Sequence, residues 1–163
     1  MNEDEKTVQL DRMRYTKNSL SSGLALLSIL FDVCFFISIY ESDVGSWYYN
    51  ILMGASILYN LVFMLAAFLS SEGVKNYKVS YSYLMIILGA IQVVRIFIYP
   101  MQARNTVVTI QEQEVVVMGA AQFFRVVLYL LLSAGCLFAG AVVGFTRSRA
   151  LEGHLAALNA KAA

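Results

Sequence analysis

The sequence predicts an all-α membrane protein, a bundle of four transmembrane helices with a short extracytoplasmic β-hairpin between the third and fourth. Three observations lead there. The 163 residues are 59% hydrophobic and only 14% charged, with a mean hydropathy of +0.65, which is more apolar than a soluble domain can hide in its interior. The apolar residues gather in four runs, each close to the roughly 20 residues that carry a helix across the hydrocarbon core. The charges gather between those runs.

Residues 1–19 form a polar segment expected on the cytoplasmic side. It lacks the short basic start, the brief apolar core and the small-residue exit of a secretory signal, so the first apolar run, 20–40, is expected to be retained as a helix. The second span is predicted at 47–70, with Gly73 in "SSEGVK" as its stop. The third is predicted at 81–99, closed by Pro100, which cannot continue a helical hydrogen-bond ladder cleanly. The connection 101–122 is longer than the roughly 2 to 8 residues usual between bundle helices. Within it, "TVVTIQEQEVVVM" sets two β-branched runs around a polar centre, the pattern of a small hairpin. Its apolar face is expected to lie on the bundle end rather than to dock a partner strand, since so small a hairpin needs packing. The fourth span is predicted at 123–145, followed by a cytoplasmic tail, 146–163. Leu151, Leu155 and Leu158 recur there at helical spacing, so the tail either extends the helix along the membrane surface or frays. His154 has no cysteine or carboxylate pattern around it and reads as solvated. Residues 1–163 together make one integral membrane domain.

Lysine and arginine favour cytoplasmic loops. Lys6, Arg12, Arg14 and Lys17 precede the first span, Lys75 and Lys78 separate the second from the third, and Arg147, Arg149 and Lys161 follow the fourth. The first turn, "ESDVGSWYYN", has neither residue type and carries Glu41 and Asp43. Both termini are therefore expected in the cytoplasm, although Arg104, Arg95 and Arg125 weaken the bias at the opposite end. Tyr40, Trp47, Tyr48, Tyr49 and Tyr99 would mark the outer boundary and Tyr15, Tyr77, Tyr81 and Tyr83 the inner one, because their rings prefer the water–lipid interface. The absence of any N-x-S/T sequon leans towards a bacterial cytoplasmic membrane.

Several function classes lose support. Lys and Arg total 12 against 11 for Asp and Glu, so nothing marks a nucleic-acid surface. Cys34 and Cys136 lie in apolar runs with no metal-ligand spacing, and no motif of a nucleotide, metal or nucleophile site is present. No enzymatic activity and no cofactor are expected. "FFISIY" and "RIFIYP" close the first and third spans alike, but the likeness is too short to establish a repeat.

What remains distinctive is polarity inside the spans: Asp32, Asn60, Gln92 and Arg95. Such residues normally face the bundle interior or a wet cavity. An ionised aspartate near a helix centre costs about 2.5 to 3.5 kcal/mol of insertion, and each Leu, Ile, Phe or Val returns roughly 0.3 to 0.6. The residues from Leu24 to Ile39 offset that cost, so Asp32 is not required for, or forbidden by, insertion. Asp32 and Arg95 lie roughly 12 and 6 Å below the outer boundary at about 1.5 Å per residue, a gap an arginine side chain covers. Gln92 shares a helix face with Arg95, and Ala25, Ser28 and Asp32 form a strip that admits a close neighbour. A bidentate Asp32–Arg95 pair flanked by Gln92 is expected, with Arg125 as a second cationic partner. Such a cluster acts as a clasp fixing helix register, or lines an ion path or a pocket for a small polar ligand; the clasp is favoured because a path through four helices needs more polar lining or an oligomer. Asn60 stands alone and reads as an interhelical hydrogen bonder. In "GAVVG", Gly140 and Gly144 form a small-xxx-small pattern expected to serve packing within the bundle.

The functional expectation is a non-enzymatic multi-pass protein, an accessory or scaffolding subunit of a larger membrane assembly. Its partners are then the lipid bilayer and other membrane subunits or further copies of itself. The alternative is a small oligomeric transporter or channel using the intramembrane Asp/Arg pair.

Overall fold

The computed structural model describes residues 3–39, 47–105, 107–110, 113–116 and 118–162. Helix α1 (Glu3–Met13) precedes α2 (Ser19–Ile39), α3 (Trp47–Lys75), α4 (Val79–Ile98) and the short α5 (Pro100–Asn105). Strands β1 (Val107–Ile110) and β2 (Gln113–Val116) then lead into α6 (Ala120–Ala162). Four helices, α2, α3, α4 and α6, are long and apolar enough to cross a membrane, compatible with an integral membrane location. Tyr40, Glu41 and Asp43, together with the side chains of Trp47, Tyr48 and Tyr49 and of the "QEQE" centre, lie outside the described residues.

Helix α6 packs against both α2 and α4, and α3 also packs against both, so α2 and α4 oppose each other diagonally across the bundle. The outward faces are apolar, with Leu30 and Ile37 on α2, Leu58, Leu65 and Phe68 on α3, and Ile87 and Phe97 on α4 all exposed. A surface so apolar suits a lipid solvent.

The interior is layered. One apolar cluster, with Phe35, Ile39, Tyr99, Val126 and Leu130, fills the end that carries α5 and the strands. A second, with Ala25, Phe63, Met85, Leu88 and Leu137, fills the half nearer the termini. Between them, on each helix, the buried positions turn polar: Ser28 and Asp32 on α2, Asn60 on α3, Gln92 and Arg95 on α4, and Ser133 on α6.

Small residues bring the helices close. Ser21 Oγ donates to the Gly140 carbonyl at 2.6 Å, and the Ser22 and Ser71 hydroxyls meet at 2.7 Å. Gln122 Nε2 donates to the Ser38 carbonyl at 2.9 Å, tying the start of α6 to the end of α2. At the other end of the bundle Gly140 and Gly144 lie against Ser21: a Cβ on Gly144 would lie 2.6 Å from Ser82 Oγ and 3.0 Å from Ser21 Oγ.

Several boundaries differ from the expected ones. The helix that carries the fourth span does not stop at 145; α6 continues to Ala162, as the leucine spacing of the tail allowed, with Leu151 buried at its helical position and Asp11 of α1 holding His154 Nε2 at 2.9 Å. His154 is thus packed against α1 rather than solvated. Gly73 does not stop the second span. The turn is made by Tyr77 at φ 57°, with Tyr77 N–H donating to the Val74 carbonyl and Lys78 N–H to the Gly73 carbonyl, the paired bonds of a Schellman ending. Gly73 serves packing instead, since a Cβ there would run into the Tyr81 ring. Pro100 follows the end of α4 and opens α5, a position where its missing N–H costs nothing. Among the described residues of 101–122, two four-residue stretches are extended and pair antiparallel from Val107 with Val116 to Ile110 with Gln113, with helix on both flanks. The terminal pair, Val107 and Val116, is about half exposed, so that part of the apolar face is not covered by the bundle.

Gly144→Ala is expected to lower thermal stability in mild detergent by about 1 to 3 kcal/mol through overpacking. Gly135→Ala, where a Cβ meets nothing within 4 Å, should leave the melting temperature unchanged or raise it. Equal effects of the two substitutions would contradict this packing.

Candidate functional site

The polar layer is assembled by periodicity. Ser28 and Asp32 stand one turn apart on α2, Ser56 and Asn60 one turn apart on α3, and Gln92 and Arg95 three residues apart on α4. Each pair points inward because the neighbouring positions on the other faces are apolar and outward.

Asp32 Oδ1 is the hub. It accepts Gln92 Nε2–H at 2.9 Å and Arg95 Nη1–H at 3.1 Å. Gln92 Nε2 also reaches Ser133 Oγ at 3.3 Å, and Ser133 Oγ donates to the Ser28 carbonyl at 3.0 Å. Arg95 Nη2 donates to Ser56 Oγ at 2.8 Å. The guanidinium is stacked between two rings, its Cζ 4.2 Å from the Phe35 centroid and 4.5 Å from that of Tyr59. All four spanning helices therefore contribute to one network. The ion pair is nearly dry, with side-chain exposures of 8% for Arg95 and 1% for Asp32.

The geometry differs from a bidentate pair. Only one carboxylate oxygen meets the guanidinium, whose other arm goes to Ser56. The arginine reaches across the diagonal from α4 to α2, with one Nη on Asp32 and the other on Ser56 of α3. Arg125 is exposed near the start of α6, about two turns or roughly 12 Å along the axis from Ser133, and is not brought to Asp32. Ser56, Ser133, Phe35 and Tyr59 are participants the sequence reading did not single out. A serine one turn from Asn60, and another inside an otherwise apolar run of α6, were the available signals.

Asp32 Oδ2 and both amide atoms of Asn60 have no hydrogen-bond partner among the described residues. These two side chains line one cleft of about 70 Å³ between α2 and α3, whose other walls include Val33, Phe36, Leu61 and Met64. On the other side of α3 a groove of about 200 Å³ runs past Ser56, Tyr59, Arg95 and Tyr99 to the apolar faces of Ile91 and Val94. Among the described residues no three His, Cys, Asp or Glu side chains converge as a metal set requires.

Comparison with protein-family profiles, curated proteins and solved structures finds no match in any of the three.

Two leucine substitutions separate the tied amide from the untied one. Gln92→Leu strands Asp32 and Ser133 and should cost about 1 to 3 kcal/mol of stability. Asn60→Leu removes an amide with no described partner and should be neutral or stabilising in the same unfolding measurement. A larger loss for Asn60→Leu than for Gln92→Leu would contradict this ranking.

Proposed function

We propose that this chain is a non-enzymatic multi-pass membrane protein serving as an accessory or scaffolding subunit of a larger membrane assembly, its polar layer acting as the clasp that sets helix register. The observation that supports this reading most is the set of contacts that hold Arg95. One carboxylate, one hydroxyl and two rings occupy it, all from the same bundle. A charge held by a carboxylate, a hydroxyl and two rings of its own bundle is better placed to specify packing than to exchange ions. The exposed apolar face of α3, including Leu58, Leu61, Val62 and Leu65, offers a lateral surface to lipid or to another subunit.

Orientation belongs to the same proposal. Arg12, Arg14, Lys17, Lys75, Lys78, Arg147 and Arg149 occupy the segments at the end where α1 begins and α6 finishes, so that end faces the cytoplasm, the strands β1 and β2 face away from it, and a bacterial cytoplasmic membrane is the setting.

A second reading, an oligomeric transporter or channel, draws on one observation: Asp32, which lines the α2–α3 cleft, has an Oδ2 with no hydrogen-bond partner among the described residues. Two measurements divide the readings. Purification in mild detergent should bring down a stoichiometric membrane partner, and self-association alone counts against the subunit reading. In reconstituted vesicles Asp32→Asn, checked to remain folded, should leave proton and ion leak unchanged; a flux present in the native protein and abolished by Asp32→Asn would establish the transport reading instead.

A further inference from the structure

We propose that the pocket formed where the α1–α2 connection meets the α3–α4 connection binds the phosphate of an anionic phospholipid. The inference rests on the membrane location but not on the subunit role. The pocket, of about 290 Å³, is walled by Arg14, Lys17 and Lys75, with Thr16, Asn76 and Tyr77 between them. Three cations from two separate connections thus converge on one cavity, and no carboxylate lines it.

The neighbouring acids offset only part of this charge. Glu72 holds Lys75 at 3.0 Å from outside the pocket. Asp11 lies 3.9 Å from Arg14 but is also engaged by His154 at 2.9 Å. Lys17 has no carboxylate partner among the described residues.

Depth and rigidity favour a lipid over a solute. Lys17 stands two residues before α2 and Lys75 is the last residue of α3, so the cations sit where the spans emerge, at the level of lipid phosphates. Asn18 N–H donates to the Lys75 carbonyl at 3.0 Å, locking the two connections together. Tyr77, beside them, is held at φ 57°, a conformation that a tyrosine adopts only when its surroundings impose it. Met13 and Leu151 supply an apolar wall for a glycerol backbone, and Tyr15 stands exposed at the lip, as interfacial aromatics do. A phosphodiester with a neutral headgroup satisfies the cations. A choline headgroup adds a cation that they repel.

The test uses the full chain in detergent, with lipid retention read by native mass spectrometry and melting temperature read in parallel. Phosphatidylglycerol should bind at least about 10-fold more tightly than phosphatidylcholine, and Arg14→Gln with Lys17→Gln should remove most of that preference. Lys6→Gln with Arg149→Gln, the same charge change outside the pocket, should retain it. Lys17→Gln alone, at an exposed side chain, supplies the reading if the double variant unfolds. Equal binding of the two lipids, equal loss in the control, or full competition by inorganic phosphate would overturn the proposal. None of these outcomes bears on whether a partner subunit co-purifies.

Discussion

In the proposed reading, the contact on which the bundle depends is the ion pair between Asp32 and Arg95, made across its diagonal. In a bilayer the hydrophobic effect does not drive one helix against another, so pairing and register must come from packing and from polar groups that lose their partners when the helices slip. A carboxylate and a guanidinium placed on opposed helices do this with unusual leverage. A shift of one residue on α2 or α4 turns a charge towards lipid, at a cost that Ser56, Gln92 and the two flanking rings cannot offset. The apolar clusters above and below the polar layer keep it dry, and dryness makes the pair sensitive to geometry. Small residues elsewhere are permissive: Gly140 and Gly144 let α6 come close enough to α2 and α4 for the layer to close.

Much of this was legible from hydropathy and charge. Four spans, the inward polarity of Asp32, Gln92 and Arg95, and the reach that joins the first and third spans all follow from periodicity and depth. The diagonal placement does not, since it depends on which helices α6 separates, and no local pattern encodes that. The single-oxygen geometry was hidden for the same reason. Serine was the other blind spot: in a span it reads as merely small, although Ser56 and Ser133 are the hydroxyls that complete the network. The end of α3 was misassigned because glycine is the usual cap, whereas here Tyr77 takes the left-handed position and leaves Gly73 to accept its neighbour's ring. The length of α6 turns on its contact with α1, a tertiary effect that leucine spacing permits but does not dictate.

The molecule divides its polarity between two places with different chemistry. At mid-span a neutralised pair is enclosed by rings and serines, where low dielectric makes each bond specific. At the end bearing the termini, three cations surround an open pocket beside water, where charge attracts without demanding one geometry. The first arrangement suits a structural role and the second suits a ligand that is abundant and fluid.

A double-mutant cycle on the diagonal pair tests the central claim most directly. Equilibrium unfolding in mixed detergent micelles would be measured for Asp32→Leu, Arg95→Met and the two together. Each single change strands a buried charge and is expected to cost about 3 to 5 kcal/mol, while the double apolar replacement should recover most of that loss. Additive losses, with the double variant as unstable as the sum of the singles, would show that the pair does not hold the bundle together.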